Sequence, residues 1–385
     1  MSTDALRSAL LDFYDARRRD LPWREAADPY RVWVSEVMLQ QTRAETVVPY
    51  YRRWLRRFPD VGAVAEATLD EVLVLWEGLG YYRRARHLHR AARVIRERHG
   101  GALPDSYGAL RALPGVGAYT AGAVASIAFG EVVPAVDGNA RRVLSRLFDL
   151  AEPRPAALRK LAERLVDPDR PGAWNQAVME LGATVCVPRR PRCGTCPVRQ
   201  WCQALRRGTV AERPPRSRPA RVRVADFVAA VFLWRDRVLL VRRPEGGLLG
   251  GMWSFPVAEV PAGSLVLEVV RAPGAAAGSA RTGADTGAVV ALEPIRHRFT
   301  HLDATYHPVL VHLDGAGRGG GATGGRNALA GGAEGGRKAA EVAGDGPQPT
   351  RRIWVLPHRR PPVALPVAQC TILRNVAALV DHDAR

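Results

Sequence analysis

No apolar run in this 385-residue sequence approaches the ~20 residues needed to span a bilayer, and the polar N-terminus lacks the basic-then-apolar order of a secretory leader. The two absences predict a cytoplasmic chain with no membrane partner. Cysteine is scarce, with five residues in all. In a reducing compartment five thiols exclude a disulfide framework, and because four of them crowd into residues 186–202 they point to a metal site instead. Acids are outnumbered, 38 against 56 Lys and Arg, and the resulting formal charge of +18 favours a polyanionic partner, nucleic acid first, over an acidic small molecule. No segment stands out as a docking peptide for a protein partner.

The length exceeds one ordinary core and predicts two domains. Long strand-like runs are missing up to about residue 205. Apolar residues recur there at helical spacing over 6–14, 32–50, 69–76 and 158–166, punctuated by Pro59, Gly78, Gly80, Pro104, Pro114 and Gly115, which predicts a compact all-α unit over residues 1–205. Residues 206–224 are rich in proline and arginine without periodicity and read as an extended, solvated linker. From residue 189 to 223 there are eleven arginines and one acid, Glu212, a composition suited to lie along phosphates. After it the period changes. Residues 227–233 and 238–242 read as the strands of a hairpin, with more strands at 252–255, 305–312 and 353–356 and a closing helix near 371–380, giving an α+β domain over 225–385. Residues 315–349 are rich in Gly and Ala and read as a disordered surface insertion.

Cys186, Cys193, Cys196 and Cys202 have six, two and five residues between them. Four thiolates hold either zinc or an iron–sulfur cluster, and the spacing alone does not choose. The turn Gly115-Val116-Gly117 opens the apolar stretch 120–129, so its backbone N–H groups are placed to meet a phosphate, although a Gly-rich turn between packed helices also has a purely structural use. Asp137 stands where a helix over 139–148 begins. It suits an N-cap, a position that keeps a carboxylate ionised. Glu36 is a lone acid among large apolar neighbours in Val32 to Leu39, where burial would raise its pKa and make it a proton donor; on an amphipathic helix it would instead face water. A protonated carboxyl and an ionised carboxylate together supply the logic of glycoside hydrolysis.

The stretch SEVMLQQT around Glu36, the hairpin followed by Val136-Asp137-Gly138-Asn139, and the cysteine loop together resemble the adenine DNA glycosylase family of the helix-hairpin-helix superfamily. The resemblance implies two domains: an all-α helix-hairpin-helix glycosylase domain with an iron–sulfur loop, then an α+β Nudix-like domain. It implies one [4Fe–4S] cluster on the four cysteines, and a catalytic set of Glu36, Asp137, Tyr119 and Asn139. Gln41, Leu79 and Tyr81 match positions that wedge into the base stack. Trp23, Arg24, Leu39 and Glu180 match positions lining an adenine pocket, and Gly115, Val116 and Gly117 match the turn that grips the DNA backbone. Tyr119 stands where strand-cleaving relatives carry a lysine; a phenol forms no imine, so the implied reaction is monofunctional release of adenine opposite 8-oxoguanine or guanine in double-stranded DNA. The implied protein is a monomer, associated with the nucleoid if bacterial.

In the second domain, residues 250–256 (GGMWSFP) resemble the family's C-terminal domain, and Phe299-Thr300-His301 resembles its Phe-Ser-His turn, which contacts 8-oxoguanine; Thr300 keeps the hydroxyl and adds a methyl. Nudix hydrolysis needs a helix dense in glutamates for Mg²⁺, and Glu259 and Glu268 stand alone. Three alternatives are separable by residue. A lyase would need an amine at position 119, a nucleotide hydrolase would need the missing acids, and a passive DNA binder would tolerate loss of Glu36 and Asp137.

Overall fold

The structure, a computed structural model, describes residues 2–25, 28–215, 222–244, 247–261, 286–313 and 351–383. The insertion expected at 315–349 and residues 216–221 of the expected linker lie outside these. The chain divides into two compact units, Met1–Ala220 and Arg221–Arg385. The first is helical and the second is built on a sheet with helical cover, as the sequence predicts.

In the first unit, α1 spans Thr3–Arg17, α2 Pro29–Leu39, α3 Ala44–Arg57, α4 Val61–Glu66, α5 Leu69–Trp76 and α6 Arg83–Arg98. They are followed by α7 at Tyr107–Arg111, α8 at Ala118–Phe129, α9 at Gly138–Leu147, α10 at Pro155–Leu165, α11 at Pro171–Thr184 and α12 at Gln203–Arg206. The start of α2 is fixed by Asp28, whose carboxylate accepts the Arg31 N–H at 2.7 Å, and by Pro29 in the first turn. All side chains from Val32 to Met38 are buried, so α2 is an interior helix and Glu36 has no solvent-facing side to occupy. The small residues of α8 allow α2 and α11 to pack closely against it. Leu6, Leu10, Tyr14, Leu144, Trp174 and Leu181 join α1, α9 and α11 in one core. Each such side chain contributes at most roughly 2–3 kcal/mol by burial.

The stretch expected to be an extended linker departs from that expectation over its first half. Thr209 Oγ1 donates to Asp149 Oδ1 at 2.6 Å, and Arg207 pairs with the other oxygen of Asp149 at 3.0 Å. Arg146 donates to the carbonyls of Val210 and Arg213 at 3.1 and 2.9 Å. Residues 206–213 are therefore tied back onto the helical unit by partners about sixty positions upstream, which composition cannot reveal.

Among the described residues the second unit forms an eight-stranded sheet. At its centre β1 (Arg223–Trp234) runs parallel to β7 (Leu302–Leu313), in register from Arg223 opposite Leu302 to Leu233 opposite His312. The expected hairpin joins β1 to β2 (Arg237–Arg242), with Trp234 opposite Arg237 and Arg235 at a positive φ of 55°. β3 (Trp253–Ser254) and β8 (Arg352–Val355) pair with β2, and β4 (Val257–Val260) pairs with β1. β5 (Thr286–Ala291) and β6 (Ile295–Arg298) run antiparallel to β7. A closing helix, α13 (Val367–Asp383), begins before the predicted segment and packs Ala368, Ile372 and Val376 on Leu240, Phe255 and Leu310.

Candidate active site

A cleft of 1210 Å³ opens in the helical unit between α2, α8, α9 and α11. Nine of the residues singled out from sequence line it: Trp23, Arg24, Glu36, Leu39, Gln41, Tyr119, Asp137, Asn139 and Glu180. They come from five separate stretches of chain, so convergence in one cavity is a tertiary fact that no single motif contains.

Glu36 is 6% exposed, and its Oε2 accepts a short hydrogen bond from the Tyr119 hydroxyl. Burial pushes its carboxyl up to about 7; the Tyr119 donation and the charge of Arg24 work against the rise, and the neighbouring Asp137 carboxyl works with it. Tyr119 is held at the second position of α8, where its hydroxyl also reaches the Met179 sulfur at 3.3 Å. Burial and the two carboxyls push the phenol well above its ordinary value, so it stays a proton donor.

Asp137 caps α9, its Oδ1 accepting the Ala140 N–H at 2.6 Å and its Oδ2 the Asn139 side-chain amide at 2.8 Å. The cap predicted from sequence forms, but its expected effect on ionisation is outweighed. Burial raises the carboxyl above its ordinary value despite the opposing hydrogen bonds of Ala140 and Asn139 and the charge of Arg142. Asp137 is thus harder to ionise than a surface aspartate, and its charge in turn helps raise Glu36.

Asn139 is in turn fixed by Arg142, which donates to its Oδ1 at 2.8 Å, to the Gly182 carbonyl at 2.7 Å and to the Cys186 carbonyl at 2.7 Å. Only a glycine fits at 182, because an added Cβ would lie 2.6 Å from that of Asn139. A hydrogen-bonded path therefore runs from Asp137 to the cysteine loop. Sequence reasoning missed Arg142; an arginine in an Arg-rich helix gives no signal of a buried structural role.

Elsewhere in the cleft, Glu180 is 1% exposed and paired with Arg19 and Arg24, both at 2.8 Å. Burial alone would raise it, but the hydrogen bonds and charges of the two arginines together hold it below its ordinary value. Glu180 is a fixed anion that orients Arg24, and Arg19 is the second partner that the motifs did not reveal. Trp23 packs edge-on against Tyr51 at 5.4 Å. Gln40 donates to Thr120 at 3.0 Å, fixing the end of α2 to α8.

Leu79 and Tyr81 do not line the cleft. Leu79 is buried, while Tyr81 is 45% exposed beside Gln41, Gly115 and Val116 around a second cavity of 240 Å³. Gly115 sits at φ +76° against His87, where an added Cβ would lie 2.4 Å from the His87 side chain, so the α7–α8 turn demands glycine on two counts. Gly117 is the N-cap of α8, presenting the first backbone N–H groups of that helix.

The four cysteine side chains surround one small cavity with Arg146, whose Nη1 donates to the Cys186 sulfur at 3.4 Å. Burial pushes Cys196 up to about 11 and Cys202 upward, with the neighbouring cysteines adding to both. Four thiolates so placed need a multivalent cationic partner. Four thiols set around one small cavity fit an iron–sulfur cluster, which takes four thiolate ligands.

In the second unit, Phe299, Thr300 and His301 form the turn between β6 and β7, closed by Phe299 N–H donating to the Leu302 carbonyl at 2.7 Å. Phe299 packs into the sheet core and edge-on against His297, while Thr300 and His301 are exposed. Glu259 is engaged by Arg223 through two contacts of 2.7 and 3.2 Å on neighbouring strands, and Glu268 lies outside the described residues.

Comparison with known proteins agrees with both halves. The sequence model of the HhH-GPD superfamily of base excision DNA repair proteins matches residues 34–168, that of the NUDIX domain residues 228–375, and that of the iron-sulfur binding domain of endonuclease III residues 186–202. The adenine DNA glycosylase of Mus musculus is 42% identical over 311 residues, covering 66% of this chain and 60% of the mouse protein. That of Homo sapiens is 41% identical over 314 residues, covering 66% of this chain and 57% of the human protein. The chain thus spans less than two thirds of the length of either. That of Rattus norvegicus is 39% identical over 378 residues, covering 81% of this chain and 71% of the rat protein. Among solved structures, a thermostable thymine-DNA glycosylase aligns with a TM-score of 0.51 at 31% identity, over 53% of this chain and 97% of its own. With the helical unit, the cysteine loop and the sheet unit each matched and the identity sustained through most of the rat protein, the chain belongs to the adenine DNA glycosylase family.

Proposed function

We propose that this protein acts in base excision repair as a monofunctional glycosylase. It hydrolyses the N-glycosidic bond of adenine mispaired with 8-oxoguanine or guanine in duplex DNA, and leaves the strand intact. The observation that carries this reading is the buried Glu36 carboxyl, raised to about 7 and facing the same cleft as Asp137. At neutral pH such a group is poised between donor and acceptor.

The target adenine leaves the stack and enters the cleft. Protonated Glu36 gives its proton to a ring nitrogen as the bond to the sugar breaks and its electron pair goes to the base. Tyr119, which stays protonated, donates to the carboxylate that Glu36 becomes. Asp137, held by Asn139 and the N-terminus of α9, stabilises the cationic sugar, whose charge in turn favours the ionised aspartate. Water then adds to the sugar and returns a proton to Glu36. The cleft lining includes no lysine; of the two lysines in the chain, Lys160 is exposed on α10 and Lys338 lies outside the described residues. This supports release without strand cleavage.

Cys186, Cys193, Cys196 and Cys202 would hold one [4Fe–4S] cluster, which supplies the positive charge their thiolates need and ties the loop together. In this reading the exposed turn at Thr300 reads the oxidised base, Gln41, Leu79 and Tyr81 act on the stack, and Gly115, Val116 and Gly117 meet the backbone. The protein works as a cytoplasmic monomer, associated with the nucleoid if bacterial. The test is base release from a duplex with one adenine opposite 8-oxoguanine, sampled with and without alkali. Strand breaks are expected only after alkali; breaks without alkali would make the protein a lyase, and intact strands throughout would remove the glycosylase reading.

A further inference from the structure

Arg84 is 8% exposed, and none of its hydrogen-bond acceptors is a carboxylate. Its Nη1 donates to the carbonyls of Val37 at 3.1 Å, Met38 at 2.7 Å and Gln40, and its Nη2 to Thr42 Oγ1 at 3.2 Å and the carbonyls of Leu79 and Gly80 at 3.3 and 3.2 Å. The guanidinium also lies over the rings of Trp76 and Tyr81, 5.3 and 5.4 Å from their centroids. Burial lowers it to about 10, so it keeps its charge at neutral pH. An unpaired buried cation is costly, and what this one accomplishes is specific: a single planar fork joins the end of α2 to the turn before α6.

Each joined turn contains a non-glycine residue in the left-handed region, Gln41 at φ 59° and Tyr81 at φ 48°. Such residues hold that backbone only where their surroundings impose it. Both are exposed, and both border the same small cavity. Arg84 accepts no part of the reaction and does not line the cleft. It touches instead the Gln40 carbonyl and the Thr42 hydroxyl on either side of Gln41, and the Leu79 and Gly80 carbonyls just before Tyr81, whose ring it also faces.

We propose that Arg84 is a positioning residue for base extrusion, fusing the turns that bear Gln41 and Tyr81 into one preset two-pronged wedge. The inference rests on the adenine-excision reading. Unstacking a paired base costs a few kcal/mol, and prongs that had to be ordered on the duplex would add to that cost. Preset prongs do not.

The test is single-turnover adenine release from two duplexes, one with adenine opposite 8-oxoguanine and one with adenine opposite an abasic site, where no partner base is left to wedge. Arg84→Lys keeps the charge and loses the fork. It is expected to slow release from the first duplex about tenfold or more and from the second far less, since a displacement of about 1 Å suffices for losses of that size. On the first duplex, Tyr81→Ala combined with Arg84→Lys is expected to be no slower than the slower single variant by more than about twofold, because both disable one wedge that works only with its two prongs together. Equal slowing on the two duplexes would make Arg84 a mere support of α2, and multiplicative effects would separate it from Tyr81; either overturns the proposal. If Arg84→Lys does not fold, Trp76→Phe, which deletes the indole N–H donated to the Gly80 carbonyl at 3.0 Å, goes through the same pair with the same expectation. Wild type inactive on both duplexes refutes the excision reading, whereas active wild type with an unchanged ratio in the variants refutes the role of Arg84 alone.

Discussion

Glu36 and Asp137 in the helical unit and the carboxylates of the sheet unit are managed in opposite ways. In the sheet unit, Asp303 is held below its ordinary value by a two-point contact with Arg296 at 2.7 and 3.0 Å, Glu259 is matched to Arg223, and Asp226 meets His307 at 3.0 Å. In the helical unit, Glu36 and Asp137 are raised by burial and are paired with donors that leave proton exchange possible, a phenol and amides. Glu180 shows that this is no general property of the helical unit, because two arginines hold it below its ordinary value in the same cleft. Exposed ion pairs contribute little to stability. Two neighbouring carboxyls left without a guanidinium in contact are a destabilising arrangement, retained where chemistry needs a movable proton. The comparison places the two raised carboxyls in the first unit, where the proposed proton chemistry needs them, and the second unit is left with the proposed role of recognition.

The largest effect follows directly. Glu36→Gln keeps the shape of the side chain and removes the transferable proton, and is expected to lower single-turnover adenine release at least about a thousandfold, within the usual range for losing a general acid. Glu259→Gln, on the exposed pair of the sheet unit, is expected to stay within about twofold. Comparable losses from both would break the comparison.

Next is pH. The ordinary Glu36 value is 4.5 and its folded value about 7, so the folded state holds the proton more tightly than the unfolded one. The stabilisation this provides is complete below pH 4.5 and is lost as the pH rises to about 7, a difference of about 3 kcal/mol if the rest of the fold responds equally. Denaturant melts of wild type and Glu36→Gln between pH 4.5 and 8 are expected to diverge in that sense, with the wild type losing more. Parallel curves would mean that Glu36 is not buried as the structure has it. The same value predicts that adenine release falls as the pH climbs past about 7.

Much of this was legible in the sequence, for identifiable reasons. The helical unit announces itself by period; the cysteine loop and Glu36 stand out only through the family resemblance of their surrounding stretches, since spacing alone does not choose the metal and a lone acid on an amphipathic helix could face water. What could not be read is what depends on long-range contact. β4, β5 and β6 are short, and β6 alternates charged residues with Ile295 and His297, so only pairing with β7 makes it a strand. The fold-back of residues 206–213 rests on Asp149 and Arg146. The N-cap at Asp137 was readable but its consequence was not, since a cap lowers a carboxyl only when burial does not exceed it. Arg84 and Arg142 sit in helices crowded with arginine, where nothing local separates a buried one from a solvated one.

A smaller effect is expected at Arg142, whose contacts connect Asn139 to Gly182 and Cys186. Arg142→Ala leaves the cap that Asp137 makes on α9 in place, frees Asn139 from its donor and removes a charge that favours ionised Asp137, so adenine release is expected to fall about tenfold, the scale of one charge-assisted hydrogen bond. Iron content is expected to stay at the wild-type level. Loss of iron together with activity would mean that Arg142 serves the cysteine loop first and the active site only through it.

The smallest effect belongs to the sheet unit and tests its share of the division. Thr300 is exposed on the tight turn between β6 and β7, and its methyl is the one group that separates it from the serine the family resemblance leads one to expect. Thr300→Ser keeps the donor and frees its rotamer. It is expected to change the preference for adenine opposite 8-oxoguanine over adenine opposite guanine by no more than about threefold, while Thr300→Val, which keeps the shape and deletes the hydroxyl, is expected to lower that preference by about tenfold through loss of a single hydrogen bond. Neither is expected to alter the pH dependence set by Glu36. If Thr300→Val shifts the pH profile and leaves the preference alone, the turn takes part in the chemistry, and the assignment of proton transfer to one unit and reading to the other is wrong.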